Sequence, residues 1–224
     1  ARLGRCRTLL GLLYDEPENM QNRRHWNTQR PSRPWRPWVY APGNESLDKA
    51  SDRFAAALDE VRRLHEPHGV ALYSEHVRPV MMHDSARAGW RPVPKVLKDT
   101  LSPVALACAL GAMVQYGGEQ RATPDLWLGD KNPGHGVPAY RNALLFAHHM
   151  GATTIYTENL AYDQKKDGTG SLIVAADDGY RLTAYGEVKR AFIQDYVPAH
   201  PRRYDPRAVV SNATVSSGTA AANT

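Results

Sequence analysis

Two carboxylates stand where short apolar runs end, and they are the side chains of this sequence best suited to chemistry. Glu16 closes the run Thr8–Tyr14 within Asp15-Glu16-Pro17-Glu18, and Glu158 closes Thr153–Thr157. A carboxyl group beside a like charge, as Glu16 is beside Asp15 or Glu18, has its pKa raised and can act as a general acid. A carboxylate that stays ionised can act as a nucleophile. Each also has a plainer reading. Acids ahead of Pro17 would suit a helix N-terminus through its dipole, and Glu158 would pair with a cation such as Arg181. Glu119 is the competing carboxylate. The Gly117-Gly118 pair before it would let backbone and ligand approach closely, or would simply turn the chain.

Trp26, Trp35, Trp38, Trp90 and Trp127 all fall in stretches that follow strands. Indole stacks on the apolar face of a sugar ring, so loop tryptophans suit a glycan cleft, although a single loop tryptophan as often anchors its loop. His135 is expected to hydrogen-bond substrate or a catalytic carboxylate. His83, Asp84, His148 and His149 raise the question of a metal, but the sequence holds no H-x-H, H-E-x-x-H or C-x-x-C, so neither metal nor cofactor is expected. No G-x-S-x-G marks a serine nucleophile.

The elements that must carry these residues alternate. Thr8–Tyr14 reads as a buried parallel strand. A helix follows from Ser46 or Asp48, with Phe54, Leu58, Val61 and Leu64 on one face, and ends at Pro67 and Gly69. Val70–Ser74 is the next strand. The pattern then predicts a helix over Lys95–Leu110, a break at Gly111 and a third strand over Ala112–Tyr116. Pro138 opens a helix ending at Met150-Gly151, and Thr153–Thr157 is a β-branched strand. Ser171–Ala176 is a fifth candidate strand, and Tyr185, Val188, Phe192 and Tyr196 mark a last amphipathic helix. Strands alternating with helices imply a parallel sheet. The long polar loops all follow strands, as in a (β/α)₈ barrel. An open doubly wound sheet would look similar, but no G-x-G-x-x-G or P-loop follows any strand.

The chain's 224 residues, 42% apolar and 23% charged, suffice for one globular domain. No apolar run approaches eighteen residues, so no membrane partner is expected. The net charge of +5 permits anionic partners. The segment Arg30-Pro-Ser-Arg-Pro-Trp-Arg-Pro-Trp38 could meet phosphate through Arg with Trp stacking. Without a recognisable nucleic-acid fold it reads as a proline-stiffened loop, and nucleic acid is not the expected partner.

Three segments together resemble the C-terminal part of a bacterial (β/α)₈-barrel glycoside hydrolase of the retaining type. Leu12-Leu-Tyr-Asp15-Glu16-Pro17 looks like the Asn-Glu-Pro strand ending that carries the acid/base, with Asp15 in place of the Asn. Lys131-Asn-Pro-Gly134-His135-Gly136, then Arg141, then Met150-Gly-Ala-Thr-Thr-Ile-Tyr-Thr-Glu158-Asn159 is similar to a Gly-His segment, a helix bearing Arg and a strand ending in Glu. Leu182-Thr-Ala-Tyr-Gly186-Glu187-Val-Lys-Arg-Ala-Phe192, then His200-Pro201, looks like the closing helix and its turn. The resemblance implies an α/β, TIM-barrel-like fold of four to five βα units, strands 4 to 8 of a partial barrel. It implies a catalytic domain over residues 1–210, followed by a mobile tail over 211–224. Glu16 and Glu158, three strands apart in this count, would be the catalytic pair. Asp15, Trp26, Trp35, Trp38, Glu119, Trp127, His135 and Asn159 would bind a carbohydrate substrate. The missing strands would come from a longer polypeptide or another chain. Two other classes stay open: a non-catalytic glycan-binding or structural barrel, kept alive by Asp15, and a basic nucleic-acid-associated assembly protein.

Overall fold

The computed structural model describes residues 9–18, 45–126, 134–161, 170–205 and 208. Its centre is a five-stranded sheet: β1 (Leu12–Tyr14), β2 (Leu72–His76), β3 (Arg91–Val96), β4 (Arg121–Pro124) and β5 (Thr154–Ile155). All pairings are parallel, and the spatial order is the chain order, β1-β2-β3-β4-β5. Parallel neighbours require crossovers. Four helices occupy them: α1 (Leu47–His65), α2 (Met81–Arg87), α3 (Pro103–Tyr116) and α4 (Val137–His149). The protein is therefore an α/β chain whose sheet is wound in one direction, without the reversal of strand order that a doubly wound sheet carries.

Side-chain alternation shows that the helices cover one face. Leu72 packs on Phe54, Leu58 and Val61 of α1, with Leu12 and Tyr14 against the same cluster. Val96 and Ala122 pack on Leu106 of α3 and Ala143 and Ala147 of α4. In register, Tyr14 lies opposite Ser74 and Ser74 opposite Pro92. The other parity (Leu13, Tyr73, Glu75, Val93, Lys95, Thr123 and Thr154) faces away from the helices. Tyr73, Glu75, Val93, Lys95 and Thr123 are nevertheless buried.

Curvature accounts for that burial. Adjacent strands sit about 4.8 Å apart, so β1 and β5 would be roughly 19 Å apart in a flat sheet. Glu16, just after β1, and Glu158, just after β5, reach the same Lys95 ammonium at 2.5 Å and 3.0 Å. The sheet curls with its helix-free face inward, and the inward side chains cover one another.

Three elements differ from the sequence expectation. Residues assigned to a loop and a helix start form β3, although Pro92 and Pro94 lie in it. Prolines two apart remove donors along one edge only, and pairing with β4 is confined to Lys95 and Val96, beyond both. The expected strand Ala112–Tyr116 is instead the end of α3. Gly111 does not break that helix. It sits where the His83 ring comes close, 3.7 Å from a notional Cβ. The expected fifth strand, Ser171–Ala176, contributes β6 (Ile173–Ala176), which pairs antiparallel with β7 (Gly179–Leu182) as a separate hairpin. Its short, Gly-containing turn makes a local partner nearer than the parallel sheet. The chain then enters α5 (Ala184–Ala191), capped by the Thr183 hydroxyl accepting from the Gly186 amide, and a π-helical turn, Phe192–Tyr196. Of the expected catalytic domain over residues 1–210, residues 1–8, 19–44, 127–133, 162–169, 206–207 and 209–210 lie outside the described residues, as does the expected tail over 211–224.

Trp90 corrects a further expectation. It is not a cleft residue. It is 2% exposed, packs in the α1–β2 core and donates its indole N–H to the Leu58 carbonyl at 2.8 Å. Trp90→Phe should therefore lower stability by about 1–3 kcal/mol, through the orphaned carbonyl and lost volume, as read by denaturant unfolding. Any glycan affinity should be unchanged.

Candidate functional site

The C-terminal ends of the strands bring one cation and a group of carboxylates together. Lys95, the inward residue near the end of β3, lies 2.5 Å from Glu16 Oε1, 2.8 Å from Glu75 Oε1 and 3.0 Å from Glu158 Oε1. Glu75 is the inward residue of β2, one position before its end. Asp15 and Glu16 follow β1, and Glu158 follows β5 by three residues. Carboxylate oxygens of Asp15, Glu75 and Glu158 all lie within 4.8 Å of one another. Three carboxylates at that spacing could share a cation, and here the Lys95 ammonium sits on two of them. Glu16 holds a φ of 38°, in the left-handed region. For a residue with a side chain this costs energy and persists where the surroundings enforce it.

Electrostatics sort these groups. Burial alone would favour neutral Lys95, but Glu75, Glu158 and Glu16 outweigh it and hold the ammonium well above its usual pKa. It therefore stays charged and cannot serve as a Schiff-base amine near neutral pH. Burial opposes ionisation of Glu158, yet Lys95, Asp125 and the Leu126 amide, which donates to Oε2 at 3.3 Å, bring its carboxyl below the usual range. Glu75 goes the other way. Burial pushes it up to about 8, only partly offset by Lys95, with Glu158 and Asp15 adding to the rise. Asp15 is raised too, by burial of its carboxyl and by Glu16, Glu158 and Glu18, against the pull of Lys95. A carboxyl held below the usual range thus stands beside two that are raised. Pairs pushed apart in this way mark acid and base roles.

The expected residues separate into groups. Glu16, Glu158 and Asp15 meet at one mouth. Asn159 follows Glu158, half-buried, and its carbonyl accepts from the Leu172 amide at 3.3 Å. His135 is buried beside this mouth, with Nδ1 3.9 Å from Asp125 and Nε2 3.7 Å from Asp99. Glu119 does not join them. It precedes β4, at the opposite end of the strands, exposed and 3.9 Å from Arg121. Its misplacement follows from reading Ala112–Tyr116 as a strand. Trp26, Trp35, Trp38 and Trp127 lie outside the described residues. The extra strand, β3, also changes the count: Glu16 and Glu158 are four strands apart, and it is Glu75 that precedes Glu158 by three.

Glu75, Lys95 and Tyr156 were not singled out from sequence. The signal for Lys95 was the alternation Arg91-Pro-Val-Pro-Lys-Val, masked by the prolines. Tyr156 is 45% exposed, on the parity of Glu158, and its hydroxyl is raised by burial and by Glu75, Glu158 and Asp15. No family model matches the chain, and neither a curated protein nor a solved structure matches it.

The Glu75 shift has a direct consequence for stability. The folded state keeps a proton on Glu75 between its ordinary value of 4.5 and about 8, where the unfolded chain has released it. Stability therefore falls as pH rises through that window. In Glu75→Gln the decline in Tm from pH 5 to pH 8 should be shallower than in the wild type. An equal slope would show that Glu75 carries no such proton.

Proposed function

We propose that the protein is a glycoside hydrolase working through two carboxylates with retention of configuration. The observation that carries this reading is the close set of Asp15, Glu75 and Glu158, with the Glu158 carboxyl held below the usual range and those of Asp15 and Glu75 raised. Retaining enzymes keep their two carboxyl groups about 5–5.5 Å apart, inverting ones roughly 6.5–9.5 Å. Oxygens within 4.8 Å of one another are closer than the inverting spacing. The sequential strand order, the helices on one face and the inward curl support a segment of a (β/α)₈ barrel, whose active sites lie at the C-terminal strand ends. In that reading closure takes about eight strands, so further strands would flank β1 and β5, from a longer polypeptide or another chain.

Glu158 is the nucleophile: its carboxylate attacks the anomeric carbon while the glycosidic C–O bond breaks. The proton for the leaving oxygen comes from Asp15. Both Asp15 and Glu75 have raised pKa values, but Glu75 is 1% exposed, whereas Asp15 reaches solvent. This moves the acid from Glu16 to its neighbour. Glu16 binds Lys95 and helps hold the turn. Water then attacks the glycosyl–Glu158 ester, and Asp15 takes back the proton. Lys95 keeps Glu158 ionised before attack and balances the carboxylate released afterwards. Tyr156 lies beside the reacting centre as a face on which a sugar ring can stack.

A panel of aryl glycosides tests the assignment. Glu158→Gln should lose roughly 10²–10⁴-fold or more on every substrate, whatever the leaving group. Asp15→Asn should lose a similar factor on substrates with poor leaving groups but little on activated nitrophenyl glycosides, which leave without a proton. If Glu16→Gln gives that leaving-group pattern and Asp15→Asn does not, the acid is Glu16. Binding without turnover across the panel would make the protein a glycan-binding barrel.

A further inference from the structure

Behind the carboxylate mouth, on the helix face of the sheet, lies a second polar cluster that the mechanism does not use. His76, the last residue of β2, is fully buried. Its Nδ1 lies 2.7 Å from Glu18 Oε2, and its Nε2 lies 2.8 Å from Ser74 Oγ and 2.6 Å from Ser85 Oγ of α2. An ionised carboxylate only accepts, so the His76 Nδ1–H donates to Glu18. The other oxygen of Glu18 accepts the Val77 amide at 3.0 Å. Burial opposes the charge on Glu18, but His76 and these amides hold its carboxyl below the usual range. Carboxylate, imidazole and serine stand in the order of a hydrolytic triad. Ser74 and Ser85 are both fully buried on the helix side, so no substrate reaches either hydroxyl.

What the cluster does touch is the backbone on both sides of the mouth. Glu18 ends the short stretch Asp15-Glu16-Pro17-Glu18, and its carboxylate ties that stretch to the chain just beyond β2. Ser74 and His76, which flank Glu75, are both fixed on the helix face, so the backbone carrying Glu75 is anchored before and after it. Glu16 needs such restraint, since its positive φ is unfavourable on its own.

We propose that the Glu18–His76–Ser85 cluster is a positioning clamp. It holds the Asp15–Glu16 turn over the end of β2 and so sets the distance from the proton donor to Glu158. Glu18, His76 and Ser85 are positioning residues, and none touches substrate. The proposal rests on the two-carboxylate reading for its effect on catalysis, and on the hydrogen bonds alone for its effect on the turn.

The test compares wild type, Glu18→Gln and Glu18→Asp in two measurements. The first is amide hydrogen exchange, which needs no activity. In Glu18→Gln, protection should fall at least tenfold at Val77 and Arg78, whose amides donate to Glu18, while the amides of α3 and α4 keep theirs. Unchanged protection at those two amides overturns the clamp whether or not the protein is an enzyme. The second is the leaving-group dependence of kcat. A displaced proton donor should slow poor-leaving-group glycosides about tenfold more than nitrophenyl glycosides, with KM little altered. Equal slowing on both substrates would overturn the link from clamp to acid. Glu18→Asp keeps the charge with a shorter reach, and should recover part of the exchange protection. If wild type hydrolyses nothing while exchange responds as expected, the glycosidase reading fails and the clamp stands. Should Glu18→Gln not fold, Ser85→Ala removes one bond of the cluster and should show the same pattern, weaker.

Discussion

An ammonium group among several carboxylates is a costly thing to enclose in a protein, because each charge loses its water. Lys95 survives because Glu16, Glu75 and Glu158 surround it at ion-pair distance. Much of the interior depends on that arrangement. The three partners come from the ends of β1, β2 and β5, so the pairing ties first strand to last across the concave side of the sheet. It also fixes which carboxyl is ionised. Among the described residues, Lys95 is the cation at ion-pair distance from these acids, and the proton retained on Glu75 relieves part of the excess charge.

The two faces of the sheet follow different physics. The helix side is an ordinary core in which Leu58, Leu106, Ala143 and Leu144 are fully buried. A dense polar feature on that side, the His76 cluster, has carboxylate, imidazole and hydroxyls facing one another. The inner side is polar and charged, and stays enclosed through curvature. The division follows side-chain parity: on β2, Leu72, Ser74 and His76 lie on the helix side, while Tyr73 and Glu75 lie on the concave side.

The sequence showed the outer parts of this arrangement better than its middle. β1, β2 and β5 were legible because apolar, β-branched runs ended in charged residues, and Glu16 and Glu158 could be named for that reason. α1 was legible from the spacing of Phe54, Leu58 and Val61. β3 was hidden because Pro92 and Pro94 read locally as loop, and tertiary pairing on the β2 side overrode that reading. α3 looked shorter than it is, because Gly111 signals a break in isolation, whereas the helix runs on through it to Tyr116. Each error carried others with it. Without β3, Lys95 could not be seen as a strand residue, the strand count was one short, and Glu119 landed at the wrong end of the sheet. Trp90 misled in a similar way: a tryptophan between two elements looks available until its indole is found bonded to the Leu58 carbonyl.

The strict agreement of chain order with strand order bears on how the molecule is made. Each strand pairs with the one synthesised before it, so the sheet can grow by adding units at one edge as the chain emerges. The carboxylates after β1 would wait, unmatched, until β3 brought its lysine. The set would be complete only when the segment after β5 arrived. A molecule stalled part-way would carry unbalanced negative charge on its inner face and would repel itself there. Relief of that repulsion then comes in mid-synthesis, with the strand that carries Lys95, and Glu158 adds its charge later to a site that already holds a cation.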